Sequence, residues 1–89
     1  MSIAHVIAEL FEKYKINEKI GEARIIAAWP EVLGPLANPT DELYIKDKVL
    51  FVNLLSSVIR NELYMMRSSL LRRLNEKAEE EVIKDIVFR

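Results

Sequence analysis

The residues best suited to chemistry are basic and aromatic, and they follow one side of a predicted helix. Arg60, Tyr64 and Arg67 are spaced four and three residues apart, so they lie on neighbouring turns of that helix. Arginine neutralises phosphate, and a tyrosine ring can stack on a nucleic-acid base. This stripe is a candidate nucleic-acid or partner-binding surface. An ordinary solvated helix face gives the same pattern equally well.

Further cations extend this candidate surface in two directions. Arg72, Arg73 and Lys77 continue the positive end of the helix, while Lys46 and Lys48 flank a predicted tight turn and can project from it. Cations near the end of a helix also complement its dipole. For the three residues on the helix we favour that structural interpretation over a role in binding.

Catalytic chemistry is not indicated by any pattern in the chain. The serines near the long helix would have to share one distant histidine, His5, whereas an activated nucleophile needs an adjacent base. The run Glu79–Glu81 with Asp85 is interpreted as solvated charge. There is no phosphate-binding glycine loop and no zinc-ligand spacing. We therefore expect no enzyme activity, no metal or other cofactor, and no small-molecule substrate.

Composition sets the class of protein. With 89 residues, 51% of them hydrophobic and only two glycines, residues 1–89 are expected to form a single globular domain. The sequence contains no membrane span, no signal peptide and no cysteine, which together predict a cytoplasmic protein. Net charge is −1, yet residues 56–77 hold five basic and two acidic groups. The long helix is therefore the only net-positive segment, and an acidic end follows it.

The first third of the chain is predicted to be helical. Apolar residues at helical spacing predict one helix over residues 3–14, and a second follows over residues 17–29. Pro30 is expected to interrupt the second helix and start a new turn, because proline bars a continuous straight helix. Gly34 then ends that turn. Trp29 has apolar neighbours and is predicted to be a core anchor.

The rest of the chain is predicted to form a sheet and the longest helix. Strands are predicted over residues 42–45, 49–55 and 82–88. Ser56 or Ser57 caps the helix between the last two strands, which runs to about residue 76. Its core stripe is Ile59, Leu63, Met66, Leu70 and Leu74. The element order α-α-β-β-α-β predicts an α+β fold, with a three-stranded sheet covered by helices on one face.

An ordered set of short motifs runs from Trp29 to the last residue. It opens with Trp29-Pro30-Glu31-Val32-Leu33-Gly34, followed by Ala37 and Thr40. It continues through Leu50-x-Val52, Ser56-Ser57, Glu62-Leu63, Leu70-Leu71, Leu74-Asn75 and Ile83-x-x-Ile86-x-Phe88-Arg89. Over about residues 26–89 this series resembles the DciA-type domain, a bacterial family.

The resemblance implies a KH-like fold and a link to bacterial DNA replication. Better-studied members of that family are similar to loaders or recruiters of the replicative helicase DnaB, and some bind DNA. By this resemblance the chain is a non-enzymatic adaptor that contacts the helicase and binds DNA or RNA weakly. Trp29, Gly34, Ser56 and Ser57 are then structural markers of the family. The rival hypothesis is a protein-interaction or homodimerisation module without nucleic-acid contact, which the net charge favours.

Three departures from the expected pattern weaken the expectation of tight nucleic-acid binding. The chain has no Gly-x-x-Gly loop, with which a typical KH module clamps nucleotides. The predicted hairpin turn, residues 46–48, also has no glycine, and no basic tail follows Arg89. We therefore expect any nucleic-acid contact to be weak.

Overall fold

The computed structural model describes residues 16–89, which form three α-helices and a three-stranded sheet. The elements are α1 (Ile16–Leu33), a 3₁₀ helix (Gly34–Ala37), β1 (Thr40–Lys46), β2 (Val49–Leu54), α2 (Ser57–Met65), α3 (Arg67–Ala78) and β3 (Asp85–Phe88). This is the predicted α+β arrangement and is consistent with a small KH-like fold. The helix predicted over residues 3–14, with His5, lies outside the described residues.

The sheet is mixed, with strand order β1-β2-β3. β1 and β2 form an antiparallel hairpin, whereas β2 and β3 are parallel. Parallel neighbours need a crossover connection, which α2 and α3 supply. The hairpin turn has Asp47 at φ 52° and Lys48 at φ 63°. Both are in the left-handed region of a two-residue hairpin turn, where glycine is the usual residue.

Side-chain alternation along β2 divides the sheet into two faces. Leu50, Val52 and Leu54 are buried, while the residues between them are only partly buried. The core against the buried face consists of Ile25, Ala28, Trp29 and Leu33 from α1, Leu63 from α2, Leu70, Leu74 and Ala78 from α3, and Val82, Ile83 and Ile86. Within residues 16–89, the helices therefore cover one face of the sheet, as predicted.

Trp29 joins α1 to the sheet. Its side chain is 2% exposed, and its indole N–H donates a hydrogen bond to Thr40 Oγ1 at 3.0 Å. A buried indole needs such a partner for its N–H. The tryptophan therefore anchors the core, as predicted, and also fixes the start of β1.

The predicted interruption of the second helix at Pro30 is wrong. α1 continues through Pro30 to Leu33, and Gly34 ends it at φ 58°. Pro30 is exposed, so its ring meets solvent and not the packed core. A proline at such a position costs a backbone hydrogen bond but does not have to end the helix when the packing on either side holds it. Here Trp29 and Leu33 are both buried.

The predicted single long helix is also wrong, because it breaks at Met66. That residue has φ −95° and ψ 7°, and its N–H reaches back to the Glu62 and Leu63 carbonyls at 3.3 and 3.1 Å. A straight helix over residues 57–78 would be about 33 Å long, well beyond the roughly 20 Å of the strand it covers. Leu63 and Leu70 lie on either side of the break, and both are buried in the core. Met66 itself is exposed, so its predicted place in the core stripe is wrong.

The third strand starts at Asp85, three residues later than predicted. The Asn75 side chain forms hydrogen bonds with the backbone just before it. Asn75 Oδ1 accepts hydrogen bonds from the N–H groups of Val82 and Ile83 at 3.0 and 3.1 Å. Asn75 Nδ2 donates to the Ile83 carbonyl at 2.9 Å. The amide thus imitates a strand partner and lets both apolar side chains be buried outside the sheet. The other two strands match prediction to within two residues at each end.

Gly21 allows α1 to approach the segment that follows α3. A Cβ atom at this position would lie 2.8 Å from Val82 Cγ2 and 2.5 Å from Glu80 Oε1. Glu80 is exposed and its side chain can move, but Val82 is buried and branched. Glycine is therefore required by close packing, despite its cost of about 1 kcal/mol inside a helix.

We predict that Gly21→Ala lowers the free energy of unfolding by about 1–2 kcal/mol, although alanine favours the helix, because the added methyl group overpacks the contact with Val82. Urea unfolding of Gly21→Ala, Val82→Ala and the double variant measures this coupling. In the Val82→Ala background the same substitution should cost less or become stabilising. A stabilisation of about 1 kcal/mol in the wild-type background would contradict the packing argument.

Candidate functional site

The junction between β2 and α2 is built around a serine cap. Ser56 Oγ accepts a hydrogen bond from the Ile59 N–H at 3.2 Å, which satisfies one of the free donors at the start of the helix. Ser57 is the first residue of α2 and is exposed. Of the two serines predicted as alternatives, Ser56 is therefore the N-cap.

Arg60 ties the first turn of α2 back to the strand. Its Nη2 donates a hydrogen bond to the Leu54 carbonyl at 2.8 Å. Its Nε is buried and has no hydrogen-bond partner among the described residues. A guanidinium bound in this way fixes the angle between strand and helix, and it has fewer donors left for a ligand than a solvated arginine has.

Tyr64 and Arg67 form a contact at the end of α2. Tyr64 is 56% exposed, and the Arg67 guanidinium lies over its ring at 5.1 Å from the centroid. Arg67 Nε is also 3.8 Å from Asp85 Oδ1, at the start of β3. Both groups of this ion pair are about half exposed, so it contributes no more than about 1 kcal/mol. The tyrosine ring remains accessible on the surface.

The predicted stripe spans the length of the sheet. Arg60 binds Leu54 at one end of β2. Arg67 lies at the other end, because Asp85 pairs with Val49, the first residue of β2. The two arginines therefore do not form one compact site.

The hairpin turn brings three lysines together near Arg67. Lys46 is the last residue of β1 and Lys48 lies in the turn, and both are exposed. Lys84 is exposed too, and its N–H donates to the Lys48 carbonyl at 2.7 Å, which places it beside the hairpin. We call Lys46, Lys48, Arg67 and Lys84 the hairpin-end cations. Lys84 was missed from the sequence, because only the strand pairing brings it to this end of the sheet.

The cations of α3 face a different neighbour. Arg72 Nε is 3.9 Å from Glu76 on the same helix. Arg73 Nη2 donates to the Val32 carbonyl of α1 at 3.4 Å. Their partners lie on α3 and α1, so the structure does not bring Arg72 and Arg73 together with the hairpin-end cations.

A surface that the sequence did not reveal lies on the outer side of α2. Within residues 16–89, seven large apolar side chains are exposed. Five of them are Leu55, Val58, Tyr64, Met65 and Met66, which we call the α2 patch. Val58 and Met65 are 68% and 73% exposed, and at seven residues apart they share one side of the helix. Tyr64 and Met66 lie on the two flanks of that side, so Val58 and Met65 are the centre of the exposed apolar area. Such areas mark protein-interaction sites.

The grooves found among residues 16–89 are open to solvent, and one of about 450 Å³ runs along α3 and the acidic residues after it. No three His, Cys, Asp or Glu residues among 16–89 come together to hold a metal ion. A pocket of about 260 Å³ lies beside Arg60 and Tyr64, but that guanidinium is already bonded to the Leu54 carbonyl. None of the helices in this range is long and apolar enough to cross a membrane.

Comparison with known proteins gives one match. The family model described as "Dna[CI] antecedent, DciA" matches residues 2–88. This range begins earlier than the motif series that starts at Trp29, and it includes every described element. No curated protein and no solved structure matches the chain.

The contribution of Arg60 to stability can be measured separately from any role in binding. We predict that Arg60→Ala lowers the free energy of unfolding by about 1–2 kcal/mol, because it removes a charge-assisted hydrogen bond to the strand. Arg72→Ala is the matched control and should change stability by less than about 0.5 kcal/mol, since its ion pair with Glu76 is exposed. Urea unfolding of both variants is the measurement. Equal effects would contradict the proposed clamp.

Proposed function

The chain belongs to the DciA family, and on that premise we propose that it is an adaptor that contacts the replicative helicase DnaB directly and binds nucleic acid weakly. Family membership supports a role in DNA replication that is associated with DnaB. The family consists of helicase loaders and adaptors and is not a family of enzymes. The observation that supports the proposal is a match over residues 2–88, nearly the whole chain.

We assign the helicase contact to the α2 patch. An exposed helix with apolar anchors at positions i and i+7 fits a hydrophobic groove on a partner, and Val58 and Met65 have that spacing. Leu55 precedes the helix and widens the apolar area. Methionine adapts to irregular partner surfaces, and two methionines end this helix.

The helix that presents the α2 patch is fixed to the strand and the core by three contacts. Ser56 caps it, Arg60 bonds it to the strand, and Leu63 is fully buried in the core. A preorganised helix loses little conformational entropy when it binds. This rigidity favours the α2 patch as a docking surface.

We predict that Val58→Asp and Met65→Asp each weaken binding of the chain to purified DnaB helicase at least tenfold, because each puts a charge into an apolar contact. Ser69→Asp, on the exposed side of α3, is the matched control and should change affinity less than twofold. Surface plasmon resonance gives the affinities, and circular dichroism melts check that all three variants fold.

Two outcomes would contradict the docking proposal. One is a wild-type chain that shows no binding to the helicase up to about 100 μM. The other is wild-type affinity in both α2 variants, which would leave the family assignment intact and move the contact elsewhere.

The nucleic-acid part of the proposal is supported by the hairpin-end cations. Lys46, Lys48 and Lys84 are exposed at one end of the sheet, with Arg67 half-buried close by. Lysine and arginine bind phosphate without reading the sequence. The overall charge of −1 limits the affinity. We therefore expect weak binding that depends on salt.

Fluorescence anisotropy with single-stranded oligo-dT tests this. Neutralising about three phosphates gives a log–log salt slope of about −2, so we predict roughly 20-fold weaker binding at 200 mM than at 50 mM salt. Lys46→Ala with Lys48→Ala should weaken binding and flatten the slope. Arg72→Ala with Arg73→Ala removes the same charge elsewhere and should have a smaller effect. No binding at 50 mM salt would favour the protein-only module.

A further inference from the structure

The sheet face opposite the core is not covered by any element within residues 16–89. Alternation and strand register place nine residues on it, three per strand: Glu42, Tyr44 and Lys46 on β1, Val49, Phe51 and Asn53 on β2, and Asp85, Val87 and Arg89 on and just after β3. We call this set the open sheet face. Tyr44, Phe51 and Val87 are adjacent in register and form its apolar middle row.

The charges on the open sheet face occupy its four corners in a diagonal pattern. Lys46 and Asp85 are at the hairpin end, on the two outer strands. The Asp85 carboxylate is about half exposed there, and its Oδ1 also pairs with Arg67 and accepts the Ile86 N–H. Glu42 and Arg89 are at the other end, again on the two outer strands. Each positive corner therefore has a negative corner beside it along the strand and another across the sheet.

This pattern is complementary to itself. If two copies meet face to face about a two-fold axis along the strands, Lys46 faces the partner's Asp85 and Glu42 faces the partner's Arg89. If the axis runs across the strands, Lys46 faces the partner's Glu42, and Arg89 faces the partner's Asp85. In both cases the apolar middle rows meet at the centre when the Arg89 guanidinium, which lies over the Phe51 ring, turns to the partner's carboxylate. From this we infer that the open sheet face is a homodimer interface, independent of the proposed helicase contact.

The alternative occupant, a single-stranded nucleic acid, fits this face less well. The Phe51 ring is stacked on Tyr44, with centroids 5.0 Å apart and planes at 12°. The Arg89 guanidinium also lies over that ring, at 4.9 Å from its centroid. A base would have to compete with both groups to stack on Phe51. Equal numbers of positive and negative corners also provide no net attraction for phosphate.

The size of the open sheet face sets the expected affinity. Three strands about 4.8 Å apart and about five residues long give a contact well below the roughly 800 Å² per partner of a standard interface. The edges of the interface consist of exposed ion pairs, which contribute little to affinity. We therefore expect a weak dimer, with a dissociation constant of about 10 μM to 1 mM.

Analytical ultracentrifugation of the full chain over a wide concentration range tests this interface. Tyr44→Glu should weaken self-association at least tenfold, because it puts a charge into the apolar middle row. Tyr64→Glu is the matched control, since Tyr64 is also an exposed tyrosine, at 56% against 42% for Tyr44, but lies on α2. It should leave self-association unchanged.

A second variant keeps the test valid if Tyr44→Glu unfolds the chain. Lys46→Glu changes one exposed corner and should weaken the dimer several-fold at low salt by placing like charges opposite each other under either axis. A wild-type chain that stays monomeric up to about 2 mM would overturn the inference. So would self-association that Tyr64→Glu abolishes while Tyr44→Glu and Lys46→Glu leave it unchanged.

Discussion

The junction between β2 and α2 determines what the rest of the molecule can present. Ser56 caps the helix as the strand ends, and Arg60 bonds back to the Leu54 carbonyl. These two contacts fix the direction in which α2 leaves the sheet. Because of that direction, Leu63 enters the core while Val58 and Met65 face solvent. The same junction therefore helps to build the core and holds the α2 patch outward.

The remaining elements keep the two surfaces of the molecule apart. After the break at Met66, Leu70 and Leu74 of α3 share the core with residues of α1. The Asn75 amide then holds the chain that leads into β3. As a result, every described helix lies on one side of the sheet. The open sheet face lies on the other side and shares only Lys46 with the hairpin-end cations. An adaptor built in this way can use α2 for one partner and the sheet for another.

Local patterns in the sequence were enough to predict the element order, the buried tryptophan and the serine cap, because each depends on neighbouring residues. The errors came from tertiary contacts. Pro30 stays inside α1 because packing on both sides holds the helix. No pattern in the sequence indicated that the Asn75 side chain would accept hydrogen bonds from the backbone N–H groups of Val82 and Ile83. Among candidate site residues, Arg60 has the spacing of a free surface arginine, and only the structure shows it bonded to a strand. The α2 patch had a signal that was overlooked: Val58 and Met65 are out of phase with the core stripe.

The central claim is that α2 is the surface through which this member of the DciA family meets the replicative helicase. The most direct measurement is amide chemical-shift mapping by NMR on the isotope-labelled chain as unlabelled DnaB helicase is added. The account predicts that shifts and line broadening concentrate in residues 55–66 and leave residues 72–77 of α3 nearly unchanged. Perturbations centred on α3 and α1, with residues 55–66 unaffected, would contradict it.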